Sequence, residues 1–143
     1  VYTLKDGDNL EKVILPIYGK GLWSTMYGYI ALEKDLKTVA GITFYQHGET
    51  PGLGGEIDNP NWQQSWIGKE AIVKEGDSYK PAIEVVKGGV PAGSKDAQHQ
   101  IDGLSGATIT SSGVQGTIAY WLGTDGFGQY LKRLRTQQEN KHG

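Results

Sequence analysis

Hydrophobic positions along the first half of the chain recur with the period of strands. Val13, Leu15 and Ile17 alternate with less apolar neighbours, Met26 to Leu32 is rich in β-prone residues, and Thr38 to His47 sets Val39 and Gly41 in alternation with Thr43 and Tyr45. The polar break Glu33 to Lys37 reads as the turn of a hairpin. Ala71 to Val73 and Pro81 to Val86 predict two further strands, the second closed by Gly88 and Gly89. Between these blocks, Asn59 followed by Pro60 forms an N-cap and N1 pair, which predicts a short helix over Pro60 to Trp66 with Trp62 and Trp66 on one face.

The period changes after Ser105. Ser112 and Gln115 have capping-box spacing, Val114, Ile118 and Trp121 recur at helical intervals, and Gly123 suits the position after a helix end. A second helix follows, capped by Thr124 or Asp125, with Phe127, Tyr130, Leu131 and Leu134 as its apolar stripe. Both stripes read as core. Strands in a run followed by two terminal helices predict an α+β fold, an antiparallel β-sheet covered by helices. With 143 residues and no internal repeat, low-complexity stretch or linker, residues 1–143 are expected to form a single domain, and Gln137 to Gly143 a fraying tail.

Composition narrows the chemistry. The 14 Lys and Arg against 16 Asp and Glu leave a net charge of -2, so nucleic acid is not an expected partner. Cysteine is absent, which excludes disulfides, thiolate-held zinc, iron–sulfur clusters and a cysteinyl nucleophile. Redox chemistry would have to come from a bound organic cofactor or from a metal held by nitrogen and oxygen. His47, His99 and His142 show no ligand spacing, so no metal is expected. No apolar run reaches the roughly 18 residues of a membrane helix. The chain opens at Val1, and a membrane anchor or signal segment ahead of it is expected to be missing.

Glycine makes up 22 of the 143 residues, about double its usual share of roughly 7%. Much of it gathers in Gly19-Lys20-Gly21-Leu22-Trp23, in His47-Gly48-Glu49-Thr50-Pro51-Gly52-Leu53-Gly54-Gly55, and in Asp102-Gly103-Leu104-Ser105-Gly106-Ala107-Thr108-Ile109-Thr110-Ser111. Any one of these alone reads as a tight turn. The third precedes the capped helix, where hydroxyls and unpaired backbone amides favour a phosphate, although such a turn by itself is usually a plain cap. It is neither a Walker loop nor a dinucleotide fingerprint, since no Gly-Lys-Ser/Thr follows and Gly103, Gly106 and Gly113 are wrongly spaced.

The run Asp102-Gly103-Leu104-Ser105-Gly106-Ala107-Thr108 resembles the flavinylation motif of FMN-binding domains, an acidic residue, three positions, then Gly-Ala-Thr. The resemblance extends in order through Gly19 to Trp23, Glu49 to Gly54 and Val85 to Gly89. It implies FMN attached covalently through its phosphate to Thr108 by a dedicated flavin transferase. Ser105, Gly106 and Ala107 would then lie at the phosphate, while Thr110 and Ser111, competing hydroxyls for the attachment, read as phosphate hydrogen-bond donors or helix caps. Glu49, Thr50 and Leu53 would flank the isoalloxazine, with Pro51 and Gly52 shaping the turn. Trp23 packs on the same pocket or else in the core. A phosphodiester carries one charge, which amides and hydroxyls satisfy without an arginine clamp, and the tether makes weak ring contacts sufficient.

Within that family the likeness runs to the flavin-carrying C subunits of sodium-translocating NADH:quinone oxidoreductases, and next to the G subunits of ion-translocating ferredoxin:NAD oxidoreductases. It implies an electron relay among other subunits of a membrane respiratory complex, on the outer, periplasmic face of the bacterial cytoplasmic membrane. No catalytic acid, base or nucleophile is needed, and no NADH oxidase activity is expected of the domain alone. The competing non-redox reading is a Gly- and Trp-rich module that binds a sugar or protein through exposed Trp62 and Trp66.

Overall fold

The computed structural model describes residues 1–142, with side chains described through Glu139. Its main sheet has four antiparallel strands in sequence order: β1 (Tyr2–Asp6), β2 (Asn9–Lys20), β3 (Thr25–Glu33) and β4 (Val39–Gln46). Alternation decides which face turns inward. Val13, Leu15 and Ile17 from β2, Met26, Ile30 and Leu32 from β3, and Ile42 and Phe44 from β4 are buried together. Val39 joins them despite its odd spacing from Ile42, because β4 bulges between the partners of Ala31 and Leu32. β1 is wholly exposed, which explains why no hydrophobic pattern announces it.

The turn after β3 falls where the polar break predicts it. Asp35 accepts hydrogen bonds from the amides of Lys37 and Thr38 and from the Thr38 hydroxyl. Leu36 takes a left-handed φ of 59° there and is fully buried, a strain held by core contact.

The Asn59 carboxamide caps α1 (Pro60–Gln64), accepting from the amide of Asn61. Trp62 and Trp66 meet edge to face with centroids 5.8 Å apart. Trp66 is fully buried and Trp62 packs on the core while its Nε1–H donates to the Asp102 carbonyl. Neither is the free aromatic surface that the module reading required.

The strand expected over Pro81 to Val86 is two strands in different sheets. β5 (Ile72–Glu75) and β6 (Ser78–Pro81) form a hairpin, whereas β7 (Glu84–Val86) pairs in parallel with β8 (Gln100–Asp102). Proline has no amide to continue the ladder, and the Ala82 amide turns back to the Ala71 carbonyl.

Two helices end the fold, α2 (Thr108–Leu122) and α3 (Gly128–His142). α2 lies along β2 and buries Thr110, Ser111, Val114, Thr117, Ile118 and Leu122. α2 starts four residues before the Ser112 box. Ser112 lies inside the helix, and the Gln115 carboxamide accepts instead from the Val85 amide. Gly123 is the C-cap but with φ −87°, so no left-handed cap forms. Thr124 and Asp125 do not start α3. Residues 124–127 wind onto the end of α2 through Phe127 N–H to Trp121 O and Gly128 N–H to Gly123 O. Leu131, together with partly buried Phe127, Tyr130 and Leu134, closes the core. The tail expected over 137–143 is helical through His142, and Gly143 lies outside the described residues. Among the described residues, no helix is long and apolar enough to cross a membrane.

Candidate functional site

The first turn of α2 is where three distant segments meet. Gly106 takes φ +68°, open to glycine at little cost, and this left-handed residue turns the chain from β8 into the helix. Ala107 occupies the N-cap position, and among the described residues no side chain caps this end. The amides of Thr108, Ile109 and Thr110 lack intrahelical acceptors by helix geometry, so this terminus offers N–H groups and the positive end of the macrodipole.

The hydroxyls of the turn have separate environments. Thr108 is exposed at the first helical position, and Ser105 is exposed in the preceding loop. Thr110 is buried and donates to Glu49 Oε1 at 2.8 Å. Ser111 is buried and its oxygen accepts from the Leu104 amide at 3.0 Å. The Thr110 proton is thus directed at Glu49, and the Ser111 oxygen ties the helix to its own approach loop by accepting, a bond that does not use the Ser111 proton.

Glu49 lies where the three segments meet. Only 4% of it is exposed. Its Oε1 accepts from the Leu22 amide at 2.6 Å and from Thr110, and its Oε2 accepts from the Trp23 amide at 3.0 Å and the Ser24 hydroxyl at 2.8 Å. Burial pushes its carboxyl pKa up, but the bonds from Ser24, Thr110, Trp23 and Leu22 outweigh that and hold it below the ordinary glutamate value. Glycine makes room for this arrangement, since a side chain at Gly21 would overlap the Glu49 carboxylate and one at Gly54 the Thr110 hydroxyl. Further along, Gly19 lies against Thr117, and Gly113 within α2 against the Lys20 carbonyl, so these two glycines serve close packing of β2 on α2.

The loop after β4 is held by its own bonds. The Thr50 carbonyl accepts from the amides of Leu53 and Gly55, and Gly52 at φ +78° closes the turn behind Pro51. His47 Nδ1 accepts from the Glu49 amide at 3.1 Å, which leaves Nε2–H to donate to Asp58 at 2.8 Å. His99 Nδ1 lies 2.8 Å from the Glu70 carbonyl. Among the described residues no group of three or more His, Asp or Glu is placed to hold a metal.

Four apolar side chains on the segments that these bonds join stand in solvent. Leu22, Trp23, Leu53 and Ile109 are 46, 70, 44 and 59% exposed, and Leu53 packs against Gly106. Trp23 is therefore not a core residue. Thr50 is exposed on the same loop as Leu53. Leu22, Ser24, His47 and Ile109 were not legible as site residues. For Ile109 a signal existed, an isoleucine off the Val114–Ile118 stripe and adjacent to Thr108.

The model of the FMN-binding domain matches residues 21–123. The chain belongs to the FMN-binding domain family. As a member of that family it is 56% identical over 135 residues to the C subunit of the Na(+)-translocating NADH-quinone reductase of Vibrio parahaemolyticus, covering 94% of this chain and 49% of that protein. It is 57% identical over 136 residues to the corresponding C subunit of Yersinia pestis, again 94% and 49% of the two chains. The chain thus spans about half the length of the curated relatives it matches. The crystal structure of Shewanella oneidensis NqrC superposes with a TM-score of 0.82 at 42% identity, covering 93% of this chain and 58% of that one. The site fits the cofactor of this family: an uncapped helix end suits a phosphate, and exposed apolar side chains on the segments joined there suit one face of a planar ring.

Proposed function

We propose that this chain is the flavin domain of the C subunit of a sodium-translocating NADH:quinone reductase, carrying FMN through a phosphoester to Thr108 Oγ1 and relaying single electrons within that complex. The observation that carries the reading is the contrast among the hydroxyls of the first turn of α2: Thr108 is exposed at an uncapped helix end, whereas Thr110 and Ser111 are buried and hydrogen-bonded within the protein. A transferase needs a hydroxyl it can reach. Bound there, FMN supplies the redox chemistry; the chain supplies position and polarity. The amides of the first turn of α2 hold the phosphate, with Ser105, Gly106 and Ala107 shaping its approach. Leu53 and Trp23 give the ring apolar cover, and Thr50 addresses its polar edge or the ribityl chain.

The neighbouring subunits of the complex, a flavin transferase during maturation, an N-terminal membrane anchor and an outer, periplasmic placement belong to the same reading. They are supported by the likeness to the C subunits of other bacteria, of which this chain covers about half.

The test is intact mass after production with and without the flavin transferase. One FMN phosphoester is expected on the wild-type chain only with the transferase, and none on Thr108→Val, which keeps the branched shape at an exposed position and leaves the fold intact. Flavin retained on a folded Thr108→Val chain overturns the assignment.

A further inference from the structure

A carboxylate offers about four lone-pair positions, and those of Glu49 are all taken: two donors on Oε1, two on Oε2, from Leu22, Trp23, Ser24 and Thr110. Ionised, it has no proton to donate either. It therefore has no hydrogen bond left for a ring placed beside it. What it does have is reach: the four donors belong to the turn between β2 and β3 and to the first turn of α2, regions 25 to 61 residues from Glu49 in sequence. The Leu22–Trp23 turn has few other ties. The Gly21 amide bonds Ser24 O at 2.9 Å, and Ser24 Oγ accepts from the Gly48 amide at 2.8 Å. Trp23 itself is largely in solvent.

We infer that Glu49 is the positioning residue of the flavin site: its carboxylate fixes the Leu22–Trp23 turn against the first turn of α2, so that two apolar side chains stand at a set place beside Thr108 without Glu49 meeting the ring. This rests on the FMN attachment proposed above. The order of action is carboxylate, backbone amides, Leu22 and Trp23 side chains, ring. Ser24, which bonds both Glu49 and Gly48, belongs to the same device at one remove.

The experiment compares wild type, Glu49→Gln, Ser24→Ala and Ser24→Thr. Glutamine keeps one acceptor oxygen and turns an NH2 group toward two of the four donors, and alanine at 24 removes one donor. In chains made without the transferase, amide hydrogen exchange is read at Leu22 and Trp23. It should accelerate about tenfold or more in Glu49→Gln, less in Ser24→Ala, and return toward wild type in Ser24→Thr. In chains made with the transferase, the covalent flavin mass should be the same in all four. Iodide quenching of flavin fluorescence should increase several-fold in Glu49→Gln, less in Ser24→Ala, with the midpoint potential moving in the same order.

Faster exchange with unchanged quenching and potential overturns the proposal, leaving Glu49 a fold residue alone. Altered quenching or potential with unchanged exchange also overturns it, since the carboxylate then meets the ring directly. A wild-type chain that takes no flavin overturns the attachment reading instead, and is recognised by mass. Should Glu49→Gln fail to melt cooperatively, the Ser24 pair decides by the same criteria.

Discussion

Replacing Thr110 by valine separates the hydroxyl that holds the site from the one proposed to carry the flavin. Thr110 is 2% exposed and its Oγ1 donates to Glu49 at 2.8 Å. Valine fills the same volume, so no cavity opens, and the loss is one bond to a buried charged acceptor, about 1.5–3 kcal/mol. Taking about 2 kcal/mol, a domain of this size should melt about 7 °C lower near neutral pH. The pH dependence has a definite sign. The folded-state pKa of Glu49 is depressed against the pull of burial, so its contribution to stability is present above the ordinary glutamate pKa and is lost as pH falls through the folded-state value. Removing the Thr110 donor moves the folded-state value up, and acid unfolding should begin at higher pH in the variant. Calorimetry from neutral to acid pH, with intact mass after co-production with the transferase, reads all of this. Flavin should remain, because Thr108 is untouched. A variant that melts like wild type with the same acid limb refutes the buried bond as a source of stability, and a folded variant that takes no flavin refutes Thr108 as sufficient.

Gly113→Ala should destabilise by about 2 kcal/mol in denaturant unfolding, although alanine is the better helix former by about 1 kcal/mol, because its methyl would overlap the Lys20 carbonyl of β2; equal or greater stability would mean that β2 and α2 separate freely there. Leu53→Ala, at a position 44% exposed, should cost under about 1 kcal/mol, keep the covalent flavin and shift its absorbance, quenching and midpoint potential. Identical spectra and potential would remove Leu53 from the ring site. NADH added in excess under anaerobic conditions should leave the flavin band of the isolated domain unbleached, whereas dithionite reduces it. Rapid bleaching by NADH would make the domain an oxidase in its own right.

Where one physical effect dominates a segment, the sequence alone determined the outcome. Alternation over Val13 to Ile17 could bury only one face, Met26 to Leu32 is β-prone throughout, and β2 and β3 follow. Asp35, Asn59 and Pro60 act through bonds and dihedrals within a few residues, so the hairpin turn and the start of α1 were readable, as was the Gly-Ala-Thr motif with its single order of neighbours. Tertiary structure decided whatever depends on a partner far along the chain. Pro81 to Val86 split because its two ends pair with different segments. α2 began at Thr108 rather than at the Ser112 box because Ser111 is held by Leu104 and Thr110 by Glu49. Glu49 reads in sequence as a loop carboxylate, polar and beside glycines; only the arrival of Leu22, Trp23, Ser24 and Thr110 makes it a buried, ionised anchor. The same contacts sort chemically alike hydroxyls, leaving Thr108 in solvent and enclosing Thr110 and Ser111, a distinction that no local spacing encodes because it is set by the packing of β2 and the β4 loop on the helix.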